Sequence, residues 1–211
     1  MRGSIMDRVR LDPATLPPLD AYRLLTSVLV PRPIAWVATV SEAGVDNLAP
    51  FSYFMGVATT PMLVAFSVAR DRHGARKDTA RNLLAHGGHG APCTIAVPEV
   101  ADLERMHATS APWTGSEFDA VGIGRVPGAC VPVPRPAGAR VAMEGRVHAH
   151  LDLGQVDLFV VEILCVHLDD ALWDGVRVRT DSLVPLARLG GEAYAALGAR
   201  MPRPPARVPE D

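Results

Sequence analysis

Apolar positions along this chain fall in short runs punctuated by Gly and Pro, and few of them repeat at helical spacing. Ile34–Val40 (IAWVATV) is apolar and rich in β-formers, which predicts a strand. Ser41–Asp46, with Gly44, predicts a hairpin turn; Asn47–Val57 and Met62–Ala69 are the next strands, with Pro61 between them. Cys93–Val97 predicts a buried strand, and Val141–Leu153 with Val156–Leu168 a long hairpin about Gly154. Gly128–Gly138, interrupted by Pro132, Pro134 and Pro136, predicts an extended loop or edge segment.

Helical patterns are short. One is expected near Asp20–Val28, ended by Pro31 and Pro33, and a second at Lys77–His86, with Asp78 or Thr79 placed to cap it and Gly87, Gly88 and Gly90 to stop it. Val100, Leu103 and Met106 follow Pro98 at helical spacing, and Glu192–Leu197 fits a last helix. Thr109–Arg125 reads as a loop whose Trp113 and Phe118 can cover a cleft or pack on the barrel or a second subunit. The count is about seven strands and three or four helices without strand–helix alternation, which argues against a doubly wound parallel sheet. A mainly β protein, a closed antiparallel barrel with peripheral helices, fits instead, because closure removes exposed edges. Residues 1–20 are expected to form an N-terminal arm, 21–200 one domain and 201–211 a flexible tail.

Composition narrows the function classes. A length of 211 residues with 48% hydrophobic content suits one domain with a substantial core. A formal net charge of −2 argues against a nucleic-acid surface while leaving room for a local basic pocket. No apolar run is long enough to span a membrane and no secretory signal is visible, so a cytoplasmic location is expected. Cys93, Cys130 and Cys165 are odd in number and far apart, which fits free thiols in a reducing compartment.

The candidate chemistry lies in Asn47-Leu48-Ala49-Pro50-Phe51-Ser52 and in Arg76-Lys77-Asp78-Thr79 with Asn82. The second group sets a cation, a hydroxyl and free backbone N–H donors at a helix start, which suits an anion. Ser52 adds a donor, and Asn47 offers donor and acceptor together, as the edge of a heterocycle requires. The same residues also fit a plain helix cap beside a solvated lysine, and chemistry alone does not choose between the two readings. There is neither a dinucleotide-binding GxGxxG after a strand nor a P-loop.

Arg32-Pro33-Ile34-Ala35-Trp36-Val37 followed by Asn47–Ser52 resembles the flavin reductase-like, FMN-binding split-barrel family, as do Arg76–Thr79 with Asn82, Met106–Ser110 with Glu117-Phe118, and Arg188-Leu189-Gly190-Gly191 with Tyr194. These motifs stand in the family's order from about Ala21 to Leu197. The resemblance implies an antiparallel six-stranded barrel, a homodimer, and FMN (FAD in some members) with NADH or NADPH as co-substrate. It also implies that Thr39, Asn47, Ala49 and Ser52 line the flavin and that Lys77, Asp78 and Thr79 serve its phosphate. The activity it implies is NAD(P)H:flavin reduction, with a flavin-dependent monooxygenase as a partner. The alternatives are a non-catalytic electron carrier or accessory protein, or an enzyme adapted to a dedicated small organic substrate.

Three positions depart from the family's pattern: Ala96 and His107, where Asn is usual, and Gly145, where Cys is usual. His107 is the candidate catalytic residue, as a proton donor or a hydrogen bond to a substrate carbonyl, against a plain helix-surface histidine. His148 and His150 share one side of a strand but lack a third ligand nearby, so no metal is assigned to them. Cys93 and Cys165, in apolar runs, read as core residues, and nothing beside Cys130 in sequence suggests activation.

Overall fold

A computed structural model describes residues 8–202; most of the expected tail lies outside them. The long strands are β1 (Ala35–Val40), β2 (Asp46–Phe51), β3 (Phe54–Thr59), β4 (Met62–Ala69), β5 (Pro92–Ala96), β6 (Val141–Asp152) and β7 (Val156–Leu168). The helices are α1 (Pro18–Val28), α2 (Asp78–Ala85), α3 (Leu103–Ala108) and α4 (Glu117–Val121). All seven strands form one antiparallel sheet in the order β2-β1-β5-β6-β7-β4-β3. Its two edge strands, β2 and β3, are consecutive in the chain and joined only by Ser52 and Tyr53. Two residues span less than about 11 Å from Cα to Cα, so the sheet must roll until its edges nearly meet. The hydrogen bond from Ser67 N–H to the Tyr53 carbonyl, 3.0 Å, holds that corner against β4. The result is a barrel split between β2 and β3.

The strand expected at Asn47–Val57 is therefore two strands on opposite edges, and this break gives seven strands where the family resemblance implies six. The barrel interior is packed by Val37, Phe51, Phe66, Ile95, Phe159 and Val161, and α2 covers one side with Ala80 and Leu83. A second core lies outside the barrel, where Trp36, Ala38, Leu48 and Ala142 meet Met106, Phe118, Val131 and Val133. β1 is buried on both faces, which is why its sequence is a continuous apolar run rather than an alternation. Phe118 thus packs on the barrel, whereas Trp113 remains half exposed and donates its indole N–H to the Ala108 carbonyl at 2.9 Å.

The helix expected at Glu192–Leu197 is not formed. Tyr194–Ala196 is a strand paired with Leu186–Arg188, which in turn pairs with Arg32–Pro33. Gly191, with φ of 61°, makes the tight return that lets this hairpin override the helix preference of an alanine-rich run. The loop expected at Thr109–Arg125 contains α4, which ends at Gly122 in the left-handed conformation.

Gly145 has a packing reason to be glycine. It lies beside a register shift in the β6–β7 pair, between Ile163 and Cys165, where the strands bend. A Cβ there would come within 2.4 Å of the Glu162 carbonyl oxygen and 2.7 Å of Val161 Cγ1. Gly145→Ala is expected to destabilise the protein by about 1–3 kcal/mol, read as a lower urea midpoint at an unchanged m-value. A midpoint equal to wild type would show that the strand pair yields without cost.

Candidate functional site

A cleft of about 570 Å³ opens between the start of α2, the end of β2 and the segment before α4. Asn47, Ala49, Lys77, Asp78 and Thr79 all line it. Lys77 occupies the N-cap position of α2, and no side chain caps the helix. Neither Asp78 nor Thr79 caps it, contrary to expectation. The N–H groups of the first turn, which have no partner within the helix, therefore open on the cleft. Thr79 is engaged elsewhere: its hydroxyl accepts 2.9 Å from Asn47 Nδ2.

Thr39 lies one layer beneath the cleft rather than in its wall. It is almost fully buried, and its hydroxyl accepts from Asn82 Nδ2 at 3.0 Å and, at 3.5 Å, from Asn47 Nδ2. Thr39, Asn47, Thr79 and Asn82 thus form a buried polar network tying β1, β2 and α2 together. Such networks are rigid when satisfied, and this one fixes the helix start against the barrel. The hydrogen bonds of Asn47 use its NH2 group; among the described residues no donor reaches its carbonyl oxygen, which remains available at the cleft.

The cleft is also lined by other basic residues, of which the sequence motifs singled out only Arg76. Arg70, Arg72, His73, Arg76 and Arg81 all line it. Their signal was the basic density of residues 70–81 in a chain of net charge −2. Most are already committed. The fully buried Asp157 carboxylate on β7 takes Arg70 at 3.0 Å, Arg76 at 3.1 Å and His150 Nε2 at 2.8 Å. Asp152 adds contacts to Arg70 at 3.1 Å and Arg76 at 2.7 Å, and Arg81 pairs with Asp78. Lys77 has no ion-pair partner among the described residues. His150 is thereby a structural partner of Asp157, while His148 stays exposed, 3.8 Å from Glu162.

Glu117 closes the far side of the cleft, accepting the Leu48 N–H at 2.9 Å. Burial pushes its carboxyl above the usual range; the Leu48 hydrogen bond opposes this, and the carboxylates of Asp78 and Asp46 reinforce it. Thr109 lines the cleft too, and its hydroxyl accepts the Trp36 indole N–H at 2.9 Å, so the third motif is pinned to β1.

Ser52 and His107 do not line this cleft. They face a smaller neighbouring pocket of about 180 Å³ that shares Pro50 and Ser110 with it. There His107 Nδ1 lies 2.9 Å from the Tyr194 hydroxyl, and the Arg188 guanidinium stacks 4.7 Å from the centre of the Tyr194 ring. The strand Tyr194–Ala196, unexpected from sequence, is thus what brings the C-terminal motif to His107. Ser52 also lies 3.5 Å from Arg32 Nε. Arg32 is buried and spends its guanidinium on the carbonyls of Thr26 at 2.6 Å, Leu29 at 2.7 Å and Leu189 at 2.9 Å. A cation at the carbonyl end of α1 is favoured by the helix dipole. Ala96, the other departure, is fully buried in the outer core.

Of the cysteines, Cys93 is a core residue as expected, and burial pushes its thiol up to about 12. Cys165 is not. It faces the barrel's outside, half-buried, with Cys130 and Glu144 nearby, because the register shift at Ile163/Cys165 moves it off the interior face. Burial, followed by the Cys130 contact and the Glu144 charge, pushes its thiol up to about 11.

Known proteins share this fold. Residues 27–180 match the flavin reductase like domain. The Bacillus subtilis protein YwrF is 35% identical over 189 residues, covering 85% of this chain and 90% of its own. Among solved structures, 2-nitrobenzoate 2-nitroreductase NbaA of Pseudomonas fluorescens superposes with a TM-score of 0.86 at 28% identity, covering 96% of this chain and 99% of its own. Nitrilotriacetate monooxygenase component B of Bacillus cereus gives 0.85 at 28%, covering 93% and 100%. The rolled seven-stranded sheet is the split barrel, and the chain belongs to the flavin reductase-like family.

Proposed function

We propose that the cleft binds FMN and that the protein is an NAD(P)H:flavin oxidoreductase. The observation that carries this reading is the uncapped start of α2 beside Lys77, open on a cleft where Arg70, Arg76 and Arg81 are already held by carboxylates while Lys77 and Arg72 have no ion-pair partner among the described residues. A volume near 570 Å³ is in the range of cofactor sites. The donors fit a flavin mononucleotide: the first-turn N–H groups and the Lys77 ammonium suit a phosphate, and Asn47, fixed through Thr39 and Thr79, presents an acceptor to a ring edge. FAD meets the same donors with its pyrophosphate. When bound, the flavin would supply the electron-transfer chemistry, with a reduced nicotinamide as the donor.

The chain's own residues then have four tasks. Lys77 and the α2 start would anchor the phosphate, Asn47 and Ala49 would border the ring, Glu117 and the Thr109–Pro112 segment would exclude water from one side, and the buried network keeps all of them in register. None of these tasks requires a side-chain acid or base, so His107 is read as a group that recognises what occupies the small pocket. That pocket, polarised by His107, Tyr194 and Arg188, supports a second reading: a dedicated organic substrate placed beside the flavin. The NbaA and component B names frame these readings as a reductase acting on its own substrate or one supplying a monooxygenase.

Dimerisation is proposed from β3. Phe54 packs on the barrel core, but from Met55 onward this edge strand is exposed, with Met55 and Val57 open as Tyr53 and Met62 are. A contiguous apolar patch on a sheet edge favours covering by another chain, here a second copy.

Three measurements test these proposals. Lys77→Ala is expected to weaken FMN affinity about tenfold to a hundredfold, the worth of one charge-assisted hydrogen bond, with unchanged circular dichroism; undiminished affinity by flavin fluorescence removes Lys77 from the phosphate site. NADH or NADPH added without oxygen is expected to bleach the flavin band of the FMN-loaded protein. A bound flavin bleached by neither nicotinamide would make the protein a carrier. Met55→Glu is expected to convert a dimer to a monomer in sedimentation velocity, and a wild-type monomer would refute the β3 interface.

A further inference from the structure

A second cluster of reactive side chains lies on the outer face of the barrel and lines neither the cleft nor the small pocket. Cys130 stands in the proline-rich segment, Glu144 on β6, and Cys165 and His167 on β7. Ligand atoms of Cys130, Glu144 and Cys165 all lie within 4.8 Å of one another. His167 Nε2 joins them, 2.7 Å from Glu144 Oε1 and 3.1 Å from Cys165 Sγ. The cluster is held in place by its surroundings. Glu144 is fully buried and accepts the backbone N–H groups of Ala129 at 2.9 Å, Cys130 at 2.6 Å and Val131 at 3.1 Å, fixing the segment that carries Cys130. Thr94 donates its hydroxyl to the Pro134 carbonyl at 2.8 Å and fixes the same segment from β5.

We propose that Cys130, Cys165, His167 and Glu144 form a binding site for a divalent transition metal of the zinc class. Two thiols, an imidazole and a carboxylate are a soft-to-borderline donor set of the kind zinc takes, whereas calcium and magnesium would require several more oxygens. Cys130, Cys165 and Glu144 already converge, and His167, in contact with Glu144 and Cys165, would move toward Cys130 to complete the closed tetrahedral arrangement of structural zinc. Around such an ion, donors bonded at about 2.0–2.3 Å stand about 3.3–3.8 Å apart. The His167–Glu144 and His167–Cys165 contacts need only open by less than about 1 Å to reach that spacing. The ion would take the place of the direct contact between His167 and Glu144.

Charge supports the same reading. Arg135 Nε is buried, 3.1 Å from Glu144 Oε1, yet makes no hydrogen bond. Two metal-bound thiolates and the Glu144 carboxylate carry three negative charges, and a divalent ion with the Arg135 guanidinium carries three positive ones. The loaded cluster is therefore neutral within a partly buried site. With every ligand position filled by protein, the ion would act as a staple. It would clamp the proline-rich segment, and with it Val131 and Val133 of the outer core, to β7.

The test uses the full chain, reduced, stripped with a chelator and free of flavin, so that it is independent of the cleft. Zinc is expected to bind one ion per chain and raise the melting temperature, and cobalt to give a tetrahedral visible spectrum with a thiolate charge-transfer band. Cys130→Ser, which alters an exposed side chain, and His167→Gln are each expected to weaken zinc at least about tenfold, and Cys130→Ser to lose the charge-transfer intensity of one thiolate. His148→Ala, on the same hairpin, is expected to leave the affinity at the wild-type value. Failure of the reduced protein to take up zinc or cobalt would overturn the proposal. So would uptake that Cys130→Ser and His167→Gln leave unchanged, or a Cys130–Cys165 disulfide in air-purified protein whose reduced form binds no metal.

Discussion

Ser52 and Tyr53 impose the constraint on which the rest of this structure depends: a link of two residues between strands at opposite edges of a seven-stranded sheet. A flat sheet of that width would separate its edges by about six strand spacings of 4.7–4.9 Å, far beyond the reach of two residues. Rolling is therefore compulsory. It encloses Phe66, Phe159 and their neighbours, and it leaves a seam where β2 and β3 part. The cleft lies beside that seam, with Ala49, Pro50 and Phe51 of β2 in its wall. The same geometry gives the barrel two apolar surfaces, so the segments after β5 and before β6 are recruited as cover for the outer one.

The cleft depends next on a buried carboxylate. Without a counter-charge, Arg70 and Arg76 would repel each other and Lys77 across a narrow space. Asp157 accepts both and is itself supplied with a third donor by His150, which also stacks on Phe159. An ion pair of this kind gives little net stability once desolvation is counted, but removing one partner leaves buried charge unpaired and costs several kcal/mol. Its effect is positional: the backbone from Arg70 to Lys77 is fastened to the β6–β7 hairpin and leads into α2 with the lysine unpaired.

Much of this was legible in the sequence, and the failures have physical causes. β1 was readable because a strand buried on both faces leaves a continuous apolar run, and the β6–β7 hairpin because two long β-rich segments flank the turn at Gly154. The lysine and hydroxyl at the start of α2 were readable because helix boundaries are local. The break at Ser52–Tyr53 was not, since a strand leaving one sheet edge for the other carries no breaker of its own. Tyr194–Ala196 was misread because pairing with Leu186–Arg188 outweighs the helix preference of its alanines. Ser52 and His107 entered a neighbouring pocket, and Thr39 the layer below, because sequence order gives proximity but not depth. Cys165 left the core because a register shift reverses the face of a strand, and no composition rule records where such a shift falls.

The attachment of residues 70–77 to Asp157 has a consequence for exchange. A loop that becomes ordered only around its ligand trades part of the contact energy for lost chain entropy at every encounter, and its closing and reopening slow both association and release. Here Arg70 and Arg76 are already held by Asp157 in the folded chain, so an anion bound at the proposed site would pay little for ordering this segment. Residence time at such a site would depend mainly on the strength of direct contacts. A site built in this way suits a molecule that must arrive, be altered and depart in each turnover as well as one that stays.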